Sequence, residues 1–237
     1  MLRKTHLLLH FLIVLYSCNN TPKIAFSETR FTTNNNTLVT INIPLTDDDH
    51  PISKHINSII KKEVTSALQI DSPNNSAGSI EDNIIAFNNA FNTFKNEFPE
   101  SAQQWEAQID GDLMFQSQEI ISIAITSYIN TGGAHGNTKI SFLNFNAKTG
   151  ETLNNIDLFK DLGSFKKVAK AHFKSTVLNK DITIDSKNFT LPNQIGFSEE
   201  GLILLYNTYE IAPYSTGIIE FTIPYHEIDT LLIFNGS

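Results

Sequence analysis

The sequence YINTGGAHGNTKIS, residues 128–141, joins two segments that have the residue pattern of β-strands. In the first segment, Glu119–Ile129, isoleucine alternates with small or polar residues, as in a strand that buries one face. The second segment, Lys139–Asn146, has the pattern of the next strand. We therefore expect two neighbouring strands of one sheet on either side of a short connection.

That connection is a glycine loop, Gly132–Asn137, with His135 near its centre. Its glycines are Gly132, Gly133 and Gly136. Glycine adopts positive φ without strain and lets another part of the chain approach the backbone closely. The loop is therefore predicted to have a fixed conformation that other residues would not tolerate.

The rest of the chain contains strands and helices in separate groups. Further strand patterns lie at Ile24–Phe31, Thr37–Leu45, Trp105–Gln116 (with a predicted turn at Asp110–Asp112), Gly201–Tyr209 and Gly217–Ile223. Helical spacing of apolar residues predicts helices at Ile52–Gln69, after Ser79 and at Leu162–Leu178. This order predicts an α+β fold with one or more antiparallel sheets and the helices packed on one face.

Two of the predicted helices begin with a capping signal. Ser79 is followed three residues later by Asp82, where a capping box places its acid. Ser164 is the predicted N-cap of the third helix. Apolar residues spaced by three and four form a stripe along the second helix: Ile80, Ile84, Phe87, Phe91, Phe94 and Phe98. Such a stripe is typical of core packing, and a ligand-binding role is the alternative.

The first residues have the pattern of an export signal. Arg3 and Lys4 precede the apolar run Leu7–Tyr16, which is too short for the roughly 20 residues that span a bilayer. Cys18, the only cysteine, closes this run as in a bacterial lipobox. We expect a signal peptide at residues 1–17, lipidation of Cys18 with membrane attachment through the lipid, and a tether at residues 18–23. An ordinary signal peptide with an incidental cysteine is the alternative.

The mature part is predicted to be acidic. Removing Arg3 and Lys4 with the signal leaves 15 basic residues against 25 acidic residues, a formal charge of −10. Arg30 is then the only arginine, which argues against nucleic-acid binding, since that needs clustered basic residues. An acidic surface attracts cationic partners, although the same charge also serves simply to keep a domain soluble.

His135 is the best single candidate for chemistry, and its surroundings in the sequence leave three interpretations. No His-x-x-x-His motif or acid–His pair flanks His135 to indicate a metal site there, and no phosphate loop or other motif indicates a cofactor. No nucleophile motif accompanies His135, so no catalytic residue is assigned. Its ring nitrogens could tie the glycine loop to backbone groups, or the ring could form part of a binding surface, or it could act as a base. Tyr209 and Tyr214 are further binding candidates, since tyrosine is common at binding surfaces.

Three blocks of residues carry a family resemblance. They are Gly132–Gly136 with Asn144, Phe145, Thr149, Gly150, Leu153 and Asp157–Phe159; then Tyr209–Tyr214 with Gly217; then Ile223–Tyr225 with Glu227 and Ile228. Their order and spacing resemble the RsiV/PdaC type of extracellular domain over about Trp105–Leu232. The preceding part, Ile24–Gln104, resembles the domain that precedes it in those proteins. The resemblance thus implies an N-terminal PdaC-like part at residues 24–104 and a C-terminal RsiV-like part at residues 105–237.

The resemblance also implies a role in the cell envelope. RsiV-type domains act as extracellular sensors that bind lysozyme, and in PdaC such a domain precedes a catalytic domain acting on peptidoglycan. We see neither a deacetylase domain nor a sigma-factor-binding segment in this sequence, so the expected function is binding. The expected ligand is a cationic protein such as lysozyme, or a peptidoglycan fragment. The expected binding residues are Gly132, Gly133, His135, Gly136, Asn137, Tyr209 and Tyr214. The alternatives are an envelope hydrolase that uses His135 and a structural lipoprotein subunit.

Overall fold

The structure is a computed structural model that describes residues 24–46, 49–70, 78–179, 182 and 189–234. Within these ranges the strands are β1 (Phe26–Phe31), β2 (Val39–Thr46), β3 (Trp105–Gln116), β4 (Ile120–Thr131), β5 (Asn137–Asn146), β6 (Gln194–Phe197), β7 (Gly201–Tyr206) and β8 (Ile219–Pro224). The helices are α1 (Pro51–Leu68), α2 (Ile80–Glu97), α3 (Leu162–Asn179) and the single turn α4 (Tyr225–Ile228). The predicted signal peptide, Cys18 and the tether lie outside the described residues.

The larger sheet has five strands in the order β1-β2-β3-β4-β5. β2 and β3 are parallel, and the other neighbours are antiparallel. Isoleucines on one face of this sheet, such as Ile41, Ile109 and Ile123, are fully buried against α1 and α2. β2 comes from the predicted N-terminal part and β3 from the predicted C-terminal part, so residues from both parts build one sheet and one core.

The smaller sheet has three antiparallel strands in the order β6-β7-β8. Every residue of β7 is buried, and α3 packs on this sheet with Phe165, Ala169, Phe173 and Val177 on its buried face. Two mostly antiparallel sheets with helices packed against them confirm the predicted α+β class. No helix in the described ranges is both long and apolar enough to cross a membrane.

The predicted turn at Asp110–Asp112 is wrong, because β3 runs without interruption through these residues. Gly111 misled the prediction, since glycine in a strand pattern also signals a turn. Its role is a close approach: a Cβ on Gly111 would lie 2.6 Å from Cδ of Pro44, near the end of β2. β6 was not predicted, because its four residues follow a polar segment and are too few to show a pattern.

The capping box of α2 is confirmed in full. The Ser79 hydroxyl accepts from Asp82 N, and the Asp82 carboxylate accepts from Ser79 N at 2.9 Å. The apolar stripe of α2 is buried at its start, at Ile80, Ile84 and Phe87, whereas Phe98 at its end is 56% exposed. Core packing therefore explains only the first half of the stripe.

The predicted N-cap of α3 is wrong. Asp161 caps this helix, because its Oδ1 accepts from Ser164 N at 2.9 Å and its carbonyl accepts from Phe165 N. The hydrogen bonds from Ser164 hold the pKa of Asp161 below its ordinary value. Both residues have side chains that can cap a helix, and the helix begins one turn earlier than the serine implies.

Candidate ligand-binding groove

An open groove of about 490 Å³ lies where the end of α1 meets the adjoining ends of β4 and β5. The glycine loop and the chain after β7 complete its walls. Most lining residues carry hydroxyl, amide, amine or aromatic groups: Ser66, Ala67, Ser127, Ile129, Thr131, Gly133, His135, Asn137, Lys139 and Tyr209. A concave surface with a few polar groups and an aromatic ring is the usual form of a small-ligand site.

Two of the three loop glycines have the role that the sequence predicts, and Gly133 does not, since its φ lies outside the left-handed region and a Cβ there would meet nothing closer than 3.8 Å. Gly132 has φ +83°, and its N–H donates to Oδ1 of Asn130 at 2.9 Å, which closes the turn out of β4. Gly136 lies beneath the ring of Tyr128, because a Cβ there would come within 2.4 Å of the ring atoms. Gly132 is therefore required by its φ value, and Gly136 is required by the close approach of the Tyr128 ring.

His135 is tied to the backbone of its own loop. Its Nδ1 lies 3.1 Å from the carbonyl oxygen of Gly136, which can only accept, so Nδ1 is the donor. The Tyr214 hydroxyl donates to the same oxygen at 2.8 Å, and the two rings stack with centroids 3.6 Å apart and an angle of 11°. This geometry agrees with the structural interpretation of His135, and in the neutral ring it leaves Nε2 as an acceptor.

The described residues show no hydrogen-bond partner that would support His135 as a catalytic base. Among the hydrogen bonds of the described residues, none joins His135 to a carboxylate or to a nucleophilic hydroxyl. The described part also contains no group of three or more His, Cys, Asp or Glu residues that could hold a metal ion. The groove is lined by hydrogen-bonding groups and aromatic rings.

Tyr209 is an exposed aromatic residue of the groove. Its side chain is 64% exposed, and its ring centroid lies 5.7 Å from that of Tyr214. Its φ of +66° is in the left-handed region, where a bulky side chain is a genuine outlier. The carboxylate of Glu210 holds this backbone by accepting from Asn207 N at 3.0 Å and from Asn193 N at 2.8 Å. An aromatic side chain is therefore kept in solvent at the cost of backbone strain, which marks the position as a candidate functional site.

The outer edge of β5 connects the groove to the smaller sheet. The Asn207 amide pairs with the backbone of Ile140, accepting from its N–H at 2.9 Å and donating to its C=O at 2.8 Å. Thr208 donates to Oδ1 of Asn137 at 3.0 Å. These bonds satisfy an otherwise unpaired strand edge and place Tyr209 beside the glycine loop.

Glu63 fixes α1 to the floor of the groove. Its Oε1 accepts from Ser141 Oγ at 2.7 Å and from Lys139 Nζ at 2.9 Å. Burial alone would raise the pKa of Glu63, but the hydrogen bonds from Ser141 and Lys139 and the charge of Lys139 together hold it below its ordinary value. Lys139, which lines the groove, is therefore neutralised by a carboxylate, so the groove presents little net charge.

The predicted binding residues form two groups in the structure. Gly133, His135, Asn137 and Tyr209 line the groove. Gly132, Gly136 and Tyr214 support the loop and the His135 ring from behind. Other residues of the site were missed: Ser66, Lys139, Asn207, Glu210 and Glu63. Their sequence surroundings give no signal, since each acquires its role only through contacts with distant parts of the chain.

Two family models match the chain. Residues 31–138 match the family described as deacetylase PdaC, and residues 154–226 match a family described as a protein of unknown function, DUF3298. The first match extends through β3, β4 and the glycine loop, and the second begins after β5. A search of the curated proteins found no match.

Similar solved structures support the same assignment. A crystal structure of a DUF3298 family protein from Pseudomonas aeruginosa PAO1 is 19% identical, with a TM-score of 0.63 over 91% of this chain and 97% of that chain. A DUF3298 family member from Bacteroides fragilis is 16% identical, with a TM-score of 0.62 over 90% of this chain and 94% of that chain. At these identities the likeness shows the fold. The two matches together give the RsiV-like arrangement, in which a PdaC domain precedes a DUF3298 domain.

Proposed function

We propose that this protein is a cell-envelope lipoprotein, anchored through Cys18, whose groove binds a fragment of peptidoglycan. The observation that carries this proposal is Tyr209, an exposed ring held at a left-handed backbone position on the rim of the groove. The ring offers a flat apolar surface against which a ligand can stack. Peptidoglycan fragments combine such faces, on sugar rings, with many hydroxyl and amide groups.

The lining of the groove matches a ligand of that chemistry. Asn137 and Ser127 provide amide and hydroxyl groups, and the Nε2 atom of His135 provides a further hydrogen-bonding group. Lys139 is paired with Glu63, so a strongly charged ligand is not required. A mostly neutral, polyhydroxylated ligand fits this set better than a cationic protein does.

Calorimetric titration of the chain from Asn19 onward with soluble peptidoglycan fragments tests the proposal. Residues from 24 onward form both described cores, so this form retains the structured part. We expect binding that Tyr209→Ala weakens at least ~10-fold, since an aromatic residue that acts as a binding hot spot contributes about 2 kcal/mol or more. The matched control is Ile156→Ala, which removes a 67% exposed apolar side chain outside the groove lining. Equal affinities for Tyr209→Ala and the unaltered chain would remove the groove from consideration.

A lysozyme-like hydrolase is the second candidate ligand, and the acidic composition favours it. The full chain has a formal charge of −8 and a pI near 5.3. Attraction between this charge and a cationic protein weakens as salt shortens the screening length to about 10 Å at 0.1 M. The same titration with lysozyme at low and moderate salt separates the candidates. Salt-sensitive binding of lysozyme without binding of peptidoglycan fragments would favour the protein partner.

A further inference from the structure

A cluster of aromatic rings lies where the end of α2 meets the start of β3. We call it the α2 aromatic cluster, and its members are Phe91, Phe94, Phe98 and Trp105, the only tryptophan of the chain. The ring centroid of Trp105 lies 5.8 Å from that of Phe91 and 5.5 Å from that of Phe94. Phe98 extends the cluster along the helix, because its ring centroid lies 5.4 Å from that of Phe94.

Core packing does not account for the outer part of this cluster. The buried residues of α2 all lie in its first half, whereas Phe98 is exposed and the other three rings are only partly buried. Lys95 holds the chain that follows Phe98, since its Nζ donates to the carbonyl oxygen of Ser101 at 2.7 Å. The fold therefore keeps an aromatic surface in solvent, which is typical of a binding site.

The cluster adjoins the groove on the same face of the larger sheet. Trp105 is the partner of Thr131 in the pairing of β3 with β4, and Thr131 lines the groove. Paired residues of neighbouring strands project from the same face, with Cα atoms about 5 Å apart. Gln103 joins the two parts, because a Cβ on Gly132 of the glycine loop would lie 2.7 Å from its Oε1. The groove and the cluster are therefore neighbouring parts of one surface.

We propose that the α2 aromatic cluster is a second subsite for the ligand of the groove and takes the apolar face of a further sugar ring. This inference rests on the proposed function for the chemistry of the ligand. Tyr209 lies on the β5 side of the groove, since its neighbour Thr208 bonds to Asn137 at the start of β5. The cluster lies on the β3 side, and β4 separates these two strands. Because neighbouring strands are about 5 Å apart, a ligand that contacts both aromatic surfaces spans at least about 10 Å. A glycan of two or more disaccharide units meets this requirement, and a single sugar ring does not.

Titration with fragments of different length tests the second subsite, and the fluorescence of Trp105 reports on it directly. The chain from Asn19 onward is titrated with peptidoglycan fragments of one and of two disaccharide units. We expect the longer fragment to bind at least ~5-fold more tightly and to shift the emission of Trp105, since it reaches the cluster. Phe98→Ala should lower the affinity for the longer fragment to that for the shorter one, whereas Tyr209→Ala should weaken the binding of both.

Ile85→Ala is the matched control, because it removes an exposed apolar side chain of the same helix outside the cluster. It should leave both affinities and the emission shift unchanged, while circular dichroism checks that both variants fold. Equal affinities for the two fragments, or equal losses in Phe98→Ala and Ile85→Ala, would overturn the second subsite.

The same titrations separate the second subsite from the groove. Fragments that bind equally well at both lengths and are weakened by Tyr209→Ala would overturn the subsite and leave the groove in place. No binding of either fragment would contradict both. Self-association of the free chain that Phe98→Ala abolishes would also overturn the subsite and indicate that a second copy covers the cluster.

Discussion

Gly136 shows how a single residue is fixed by its neighbours. The ring of Tyr128 occupies the space of a Cβ at this position, and the aromatic ring cannot bend away as a flexible chain can. We expect Gly136→Ala to lower the free energy of unfolding by about 1–3 kcal/mol, the usual cost of overpacking. Chemical denaturation measures this change.

Gly133 provides the control within the same loop. A Cβ there would meet nothing closer than 3.8 Å, and its φ lies outside the left-handed region. Gly133→Ala should therefore change the free energy of unfolding by less than about 0.5 kcal/mol. Equal destabilisation by the two substitutions would show that the Tyr128 contact is not the cause.

His135→Ala separates the structural interpretation of this residue from the catalytic one. The substitution removes the stacked contact with Tyr214 and the bond to Gly136 O, each worth about 0.5–1.5 kcal/mol. We expect a loss of about 1–2 kcal/mol in unfolding free energy, whereas His55→Ala, at an exposed position of α1, should cost under about 0.5 kcal/mol. An unchanged melting temperature together with lost turnover of an envelope polymer would instead indicate a hydrolase.

At the scale of secondary-structure elements, the bond between α1 and β5 depends on pH. The pKa of Glu63 in the folded protein lies below its ordinary value of 4.5, so the charged form stabilises the fold. This contribution is complete above the ordinary value and is lost as pH falls through the folded-state value. We expect Glu63→Gln to cost about 1–2 kcal/mol at pH 7, and progressively less in acid.

The measurement is urea unfolding of the unaltered chain and Glu63→Gln between pH 7 and pH 3. Glu106→Gln, at an exposed position of β3, is the control and should differ little from the unaltered chain throughout. A difference between Glu63→Gln and the unaltered chain that stays constant with pH would show that the charge of Glu63 does not stabilise the contact.

At the scale of the whole molecule, the larger sheet decides whether residues 24–104 and 105–237 can fold apart. Ile41 and Ile56 on one side of this boundary share a core with Ile109 and Ile123 on the other. Produced separately, each fragment would expose these side chains and the β2–β3 edge. We expect both fragments to aggregate or to lack cooperative unfolding, measured by circular dichroism, while the chain from Asn19 onward unfolds cooperatively. Two fragments that unfold cooperatively on their own would establish residue 104 as a domain boundary.

Local patterns determined much of this protein from the sequence alone. Periodicity located α1, α2, α3, β2 and β4, and the Ser79–Asp82 pair located the start of α2, because these signals act between residues close in the chain. The glycine loop was also predictable, since glycine spacing is a local feature, whereas the tie of His135 to the loop backbone was one of three interpretations that the sequence left open.

The tertiary structure alone decided how these pieces meet. The local sequence around Gly111 fits both a turn and a strand position that Pro44 approaches closely. Only the pairing of β2 with β3 decides between these two structures. The groove likewise needs α1, β5 and the chain around Tyr209 to come together, through Glu63 with Lys139 and Asn207 with Ile140. These partners are tens of residues apart, and their interaction energies depend on a distance in space that periodicity and local propensity do not encode.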